Sequence, residues 1–126
     1  MKVDKKHSIA YLNAIRFAVQ NYFDLDITSK HRTQDYVYAR FVYCKLAREL
    51  TSLSLQKIGK SINRNHATVI HAVKEIESVF QYDQRVLKSY QYILDRFNKK
   101  RTDEQKYYEA MQLAIHYRKK YFDIKK

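Results

Sequence analysis

Between residues 54 and 80 the apolar positions change rhythm twice, and the rest of the chain is arranged around that stretch. Leu55, Ile58 and Ile62 recur at helical spacing over a short piece. Ser54 stands before it, where a hydroxyl accepts an orphan backbone N–H. Asn63 then interrupts the pattern, and asparagine enters a left-handed turn at low cost. Asn65 is placed to cap a second, longer helix. On that helix Val69, Val73, Ile76 and Phe80 make one apolar stripe. Ala67, Thr68, His71 and Lys74 fall on the other side, turned away from the core. The pattern predicts helix, tight turn, helix.

The flanking chain also reads as helical. Ile9, Leu12, Ile15, Val19 and Tyr22 predict a helix over about 7–23. Asp24–Thr28 breaks it, and Ser29-Lys30-His31-Arg32 is a polar, basic connection. Asp35 is placed to cap a helix over about 36–50, lined by Val42, Leu46 and Leu50, with Arg40 and Arg48 on one polar face. After residue 80, Val86, Leu87, Tyr90, Ile93, Leu94 and Phe97 keep helical spacing. Thr102 and Gln105 fit a capping box before a last helix over about 103–121. The expectation is an all-α protein. Residues 1–80 form a helix-turn-helix domain and 81–126 a two-helix extension burying Leu87, Ile93, Leu94, Met111 and Ile115.

Composition narrows the partners. The 126 residues hold no Pro, one Gly and 45% hydrophobic residues, which suits a folded helical chain. Lys and Arg number 25 against 13 Asp and Glu, a formal net charge of +12. The basic excess is shared evenly by the parts before and after residue 80. Such a surplus favours a polyanion, with nucleic acid ahead of membrane. No apolar run approaches the ~18–20 residues of a membrane helix. The one cysteine, Cys44, sits in an apolar helical run, so it reads as a small core hydrophobe in a reducing, cytoplasmic setting. The one glycine excludes a Gly-rich phosphate loop, and the histidines lack paired metal-ligand spacing. No cofactor, metal, nucleotide or catalytic set is expected.

The words in the central stretch are more specific than its rhythm. IGKSINRNHATVIHAVKEI resembles the C-terminal DNA-binding domain of the bacterial replication initiator DnaA. That family carries an Ile-Gly helix, a turn ending in Arg-Asp-His, a Thr-Thr-Val-like run and a Leu-His-Ala segment. ARFVYCKLARELTSLSLQKIG extends the resemblance, as do the pair Tyr22-Phe23 and the run Ser29 to Arg32; it covers about residues 7–80. The resemblance implies sequence-specific binding of double-stranded DNA, in replication initiation or transcription regulation, without the initiator's ATPase module. It implies Arg64, Asn65, His66, Ala67 and Thr68 toward base edges. Arg40, Arg48 and Lys60 would hold phosphates, and Arg32 would enter the minor groove. Four departures stand out: Ala39 for Pro, Phe41 for Gln, Asn65 for Asp and Ala67 for the first Thr, in a turn one residue shorter. Exchanging Asp for Asn turns an acceptor into a donor and acceptor, so the initiator's own target sequence does not carry over. His66 borders the apolar stripe, so packing against the core is its alternative. A protein-interaction module, binding or antagonising a replication protein, is the competing reading for the whole chain. RNA binding through the 12 tyrosines is a third. The extension's expected partners are a replication protein or a second copy of the chain.

Overall fold

The computed structural model describes residues 5–98 and 111–112. Five helices follow in order: α1 (Ile9–Phe23), α2 (Gln34–Leu50), α3 (Leu55–Lys60), α4 (His66–Tyr82) and α5 (Gln84–Asn98). The all-α class stands. Each start has a local cause. The Ser8 hydroxyl accepts from the Tyr11 N–H, Ser54 from Lys57 N and Asn65 from Thr68 N. Asp83 breaks α4 from α5 and accepts from the N–H groups of Arg85 and Val86. The expected cap at Asp35 is corrected. Thr33 is the N-cap of α2 and makes no side-chain cap bond, while Asp35 lies in the first turn. A carboxylate there still complements the helix dipole.

One core holds all five helices. Leu12, Ile15 and Val19 of α1 meet Val42, Tyr43, Leu46 and Leu50 of α2; Ile58, Ile62, Val69 and Ile76 close it from the helix-turn-helix side. Val86, Tyr90, Ile93 and Phe97 of α5 belong to the same core, and Phe97 meets Tyr11 edge-on with ring centroids 5.5 Å apart. The expected division at residue 80 lies inside α4, two residues before its end, and α4 and α5 share their interior. Leu87 and Leu94 are partly buried against it, as their spacing suggested. Met111 is not: it is 53% exposed. The last helix over 103–121, its capping box and Ile115 lie outside the described residues.

α5 is tied to α2 and α4 by polar contacts as well. Lys45 reaches Glu49 at 3.1 Å and Glu77 at 2.7 Å, lies over the Tyr90 ring, and Tyr90 donates its hydroxyl to Glu49. Burial works against the Lys45 charge, but the hydrogen bonds to Glu77 and Glu49 outweigh it and raise its pKa. No helix among the described residues is long and apolar enough to cross a membrane.

Cys44 is fully buried in α2, and burial pushes its thiol up to about 12. The thiolate is the reactive form. We expect Cys44 to resist alkylation by a maleimide at neutral pH in the native protein and to react on unfolding in urea. Rapid stoichiometric labelling without denaturant would contradict this packing.

Candidate nucleic-acid interface

The turn between α3 and α4 is built around Gly59. Its carbonyl accepts from Ile62 N at 3.0 Å and Arg64 N at 2.8 Å. A Cβ on residue 59 would lie 2.7 Å from the Arg64 carbonyl oxygen and 2.8 Å from that of Asn65. Only glycine lets α3 approach the start of α4 this closely. Asn63 takes the left-handed conformation its type suggested, with φ 58°. Asn65 then opens α4, and its Oδ1 accepts from both the backbone N–H and the hydroxyl of Thr68.

α4 buries Val69, Ala72, Ile76, Val79 and Phe80. Its opposite side shows His66, Ala67, Ile70, His71 and Lys74 to solvent, with Thr68 half-buried beside them. His66 thus stands at the surface rather than in the core. His71 is exposed too, with its ring against the edge of Phe41. Ile70 escaped the sequence reading, although an apolar side chain on the polar face of an amphipathic helix is the signal that could have found it. It is 49% exposed and lines a shallow groove of about 190 Å³ with Arg48, Leu55, Val73 and Lys74. Arg48, Lys57, Lys60 and Lys74 are exposed around this face and make no ion pair with a described residue.

Two arginines are placed differently from the sequence expectation. Arg40, expected at a phosphate, is 6% exposed. Its Nε donates to the Ile27 carbonyl at 2.9 Å, Nη1 to His31 at 2.7 Å and Nη2 to Ser29 at 2.7 Å. The reason is local supply and demand. The connection from α1 to α2 has no ladder of its own, so its carbonyls need donors, and a planar guanidinium spans three of them. Burial lowers the Arg40 pKa, and the charges of Arg64 and Arg32 lower it further. The side chain stays charged because its ordinary pKa is so high. Arg64, expected at bases, folds back instead. It donates to the carbonyls of Ile62 and Asn63, each at 3.1 Å, and to Ser29 at 2.8 Å.

These contacts form a brace. Asn63 Nδ2 donates to the Thr28 carbonyl at 3.1 Å. The carbonyls of residues 27, 28, 29 and 31 are thereby held by α2 and by the α3–α4 turn. Arg32 is exposed just beyond the last of them and makes no hydrogen bond with a described residue. The basic connection is thus fixed beside the turn that starts α4. Among the described residues no group of three or more His, Cys, Asp or Glu gathers where it could hold a metal ion.

Comparison with known proteins decides the family. The model of the bacterial DnaA protein helix-turn-helix matches residues 12–76, just over half of the chain. The chain belongs to this DnaA helix-turn-helix family. It is 40% identical over 79 residues to the chromosomal replication initiator protein DnaA of Limosilactobacillus fermentum, which covers 60% of this chain and 18% of that protein. Against DnaA of Thermoanaerobacter sp. strain X514 it is 44% identical over 59 residues, 47% of the chain and 13% of the relative. For Francisella tularensis subsp. novicida DnaA the figures are 39% over 75 residues, 59% and 15%. The chain thus spans less than a fifth of the length of these DnaA relatives. No solved structure matches it. The DnaA match ends at Ile76, before α5, although α5 completes the same core.

Proposed function

We propose that this protein binds double-stranded DNA in a sequence-dependent way, acting in replication initiation or transcription regulation and hydrolysing no nucleotide. The observation that carries the reading is the first turn of α4. His66 and Ala67 project from a capped helix start, between cations that have no ion-pair partner among the described residues. Such a helix suits a major groove, where residues at its N-terminal end reach base edges. His66 offers ring nitrogens, Thr68 a hydroxyl and a methyl, and Ile70 an apolar surface for thymine methyls. Asn65 has its oxygen occupied by the cap, so its amide Nδ2 is what it offers to a base. Arg48, Lys57, Lys60 and Lys74 hold phosphates. Arg32 probes the minor groove, where a narrow width concentrates negative potential. In this reading Arg64 and Arg40 hold the arm that carries Arg32. Its relatives' role in chromosomal replication initiation supports the setting.

The test is selection of bound duplexes from a random pool, then titration of variants on the enriched and scrambled sequences at two salt concentrations. His66→Ala is expected to cost roughly 1–3 kcal/mol on the enriched site and little on the scrambled one. Arg48→Ala should weaken both similarly and reduce the salt slope by about one unit. Folded variants that bind both duplexes like the parent would overturn the reading and favour a protein-interaction module.

A further inference from the structure

The chain before α1 is pinned along the edge of the helix-turn-helix. Lys6 N donates to the Leu50 carbonyl at 3.0 Å, and Ser52 N donates to the Lys6 carbonyl at 2.9 Å. This is an isolated parallel bridge between Lys6 and Thr51. His7 closes it, with Nδ1 2.6 Å from the Ser52 hydroxyl. The segment lies outside the family match, which begins at residue 12. A parallel register sets Lys5 beside Leu50 and His7 beside Ser52. Arg48 is two residues before Leu50, and Leu55 three after Ser52. Both line the groove that continues onto Ile70 and Lys74 of α4. Three residues of chain span at most about 10 Å, so the segment bridged to Thr51 and Ser52 lies within that reach of the groove's α2–α3 end, beside the face read above as the DNA surface.

Charge points the same way. Lys5 and His7 are exposed, and so is Arg48. The nearest carboxylate on α2, Glu49, is held by Lys45 and by the Tyr90 hydroxyl. The exposed ionisable side chains described at this edge, Lys5, His7 and Arg48, are all basic. Backbone bonds on both sides of Lys6 order the segment in advance, so binding need not order it.

We propose that residues 5–7 form a second phosphate clamp, which extends the DNA-contacting face past the α2–α3 edge and grips the backbone flanking the site read by α4. This rests on the DNA-binding reading above. The clamp adds affinity and salt dependence but no base preference, because phosphate contacts carry no sequence information directly.

The experiment uses the full chain carrying Lys5→Gln, and Lys5→Glu, on an enriched duplex with long flanks. Helicity and urea midpoint are measured first; the Lys5 side chain is exposed, so both should match the parent. Lys5→Gln should lower the slope of log affinity against log salt by about one unit. Lys5→Glu should bind more weakly still. Hydroxyl-radical footprints should shorten at one end only, with the ranking of base substitutions in the site unchanged. A parent that binds duplex, with both variants matching its slope and footprint, overturns the clamp alone. A change in base ranking overturns it too, since it would place the segment at base edges. A parent that binds no duplex overturns the DNA reading and the clamp with it.

Discussion

Arg40→Ala is expected to unfold the protein at markedly lower urea, a loss of roughly 2–4 kcal/mol. The carbonyls of Ile27 and His31 take their side-chain donors from this one side chain, and that of Ser29 shares its donors between Arg40 and Arg64. Ile27 is fully buried, so its carbonyl cannot turn to water without moving the residue out of the core. Arg40→Lys separates the brace from a phosphate contact. A lysine keeps the charge, so a phosphate-holding residue would tolerate it. It cannot present three donors in a planar fork, so a brace would not. We expect the lysine variant to be nearly as destabilised as the alanine. The brace also predicts coupling. If it positions Arg32, then Arg32→Ala should weaken duplex binding in the parent and change little in the Arg40→Lys background. A urea midpoint like the parent's for both Arg40 variants would refute the brace. An additive double-mutant cycle would detach Arg32 from it.

The contrast between Arg40 and the α3–α4 unit shows what a sequence holds. Ser54 and Asn65 were legible because each caps backbone three residues on, and the Asn63 turn because few residue types take a left-handed φ; the reach of Asn63 to Thr28 was not legible. The stripe from Val69 to Phe80 was legible because a helix that buries one face repeats it. Arg40 was not. Periodicity places it on a polar face beside Arg48, and both look like surface cations. One is exposed and the other 6% exposed, because a loop eleven residues earlier in the chain lacks donors. Long-range demand of that kind leaves no periodic trace. Arg64 is the same case, since its partner at Ser29 is distant in sequence. α5 was half legible. Its apolar spacing fixed a helix and the identity of its inner face. The spacing did not say that α2 and α4 would receive it, so residue 80 read as a boundary. The outward face of α4 was legible in Ala67, Thr68, His71 and Lys74 by periodicity and in His66 by resemblance alone, while Ile70 passed unnoticed because apolar residues are counted toward the core.

Gly59→Ala is expected to damage stability and duplex binding together, and the magnitudes decide the sign. In an ordinary helix interior the change would stabilise by about 1 kcal/mol, since alanine loses less backbone freedom. Here the new methyl carbon would sit 2.7 Å from one backbone oxygen and 2.8 Å from the next. Neither neighbour is a flexible side chain. The Arg64 and Asn65 carbonyls belong to the turn that starts α4, so the turn itself must move. Overpacking of this kind costs typically 1–3 kcal/mol, which offsets the helix gain and exceeds it in most of that range. The displacement falls directly on Asn65 and His66, so the cap to Thr68 and the aim of the first turn shift with it. Affinity for an enriched duplex should therefore fall more than affinity for a scrambled one. Arg48→Ala, a change of surface charge at a distance from the turn, should weaken the two alike and leave the urea midpoint near the parent's. The measurement is a urea midpoint and a paired titration for both variants. A Gly59→Ala protein that is more stable than the parent and discriminates the two duplexes equally well would show that α3 and α4 do not need this close approach.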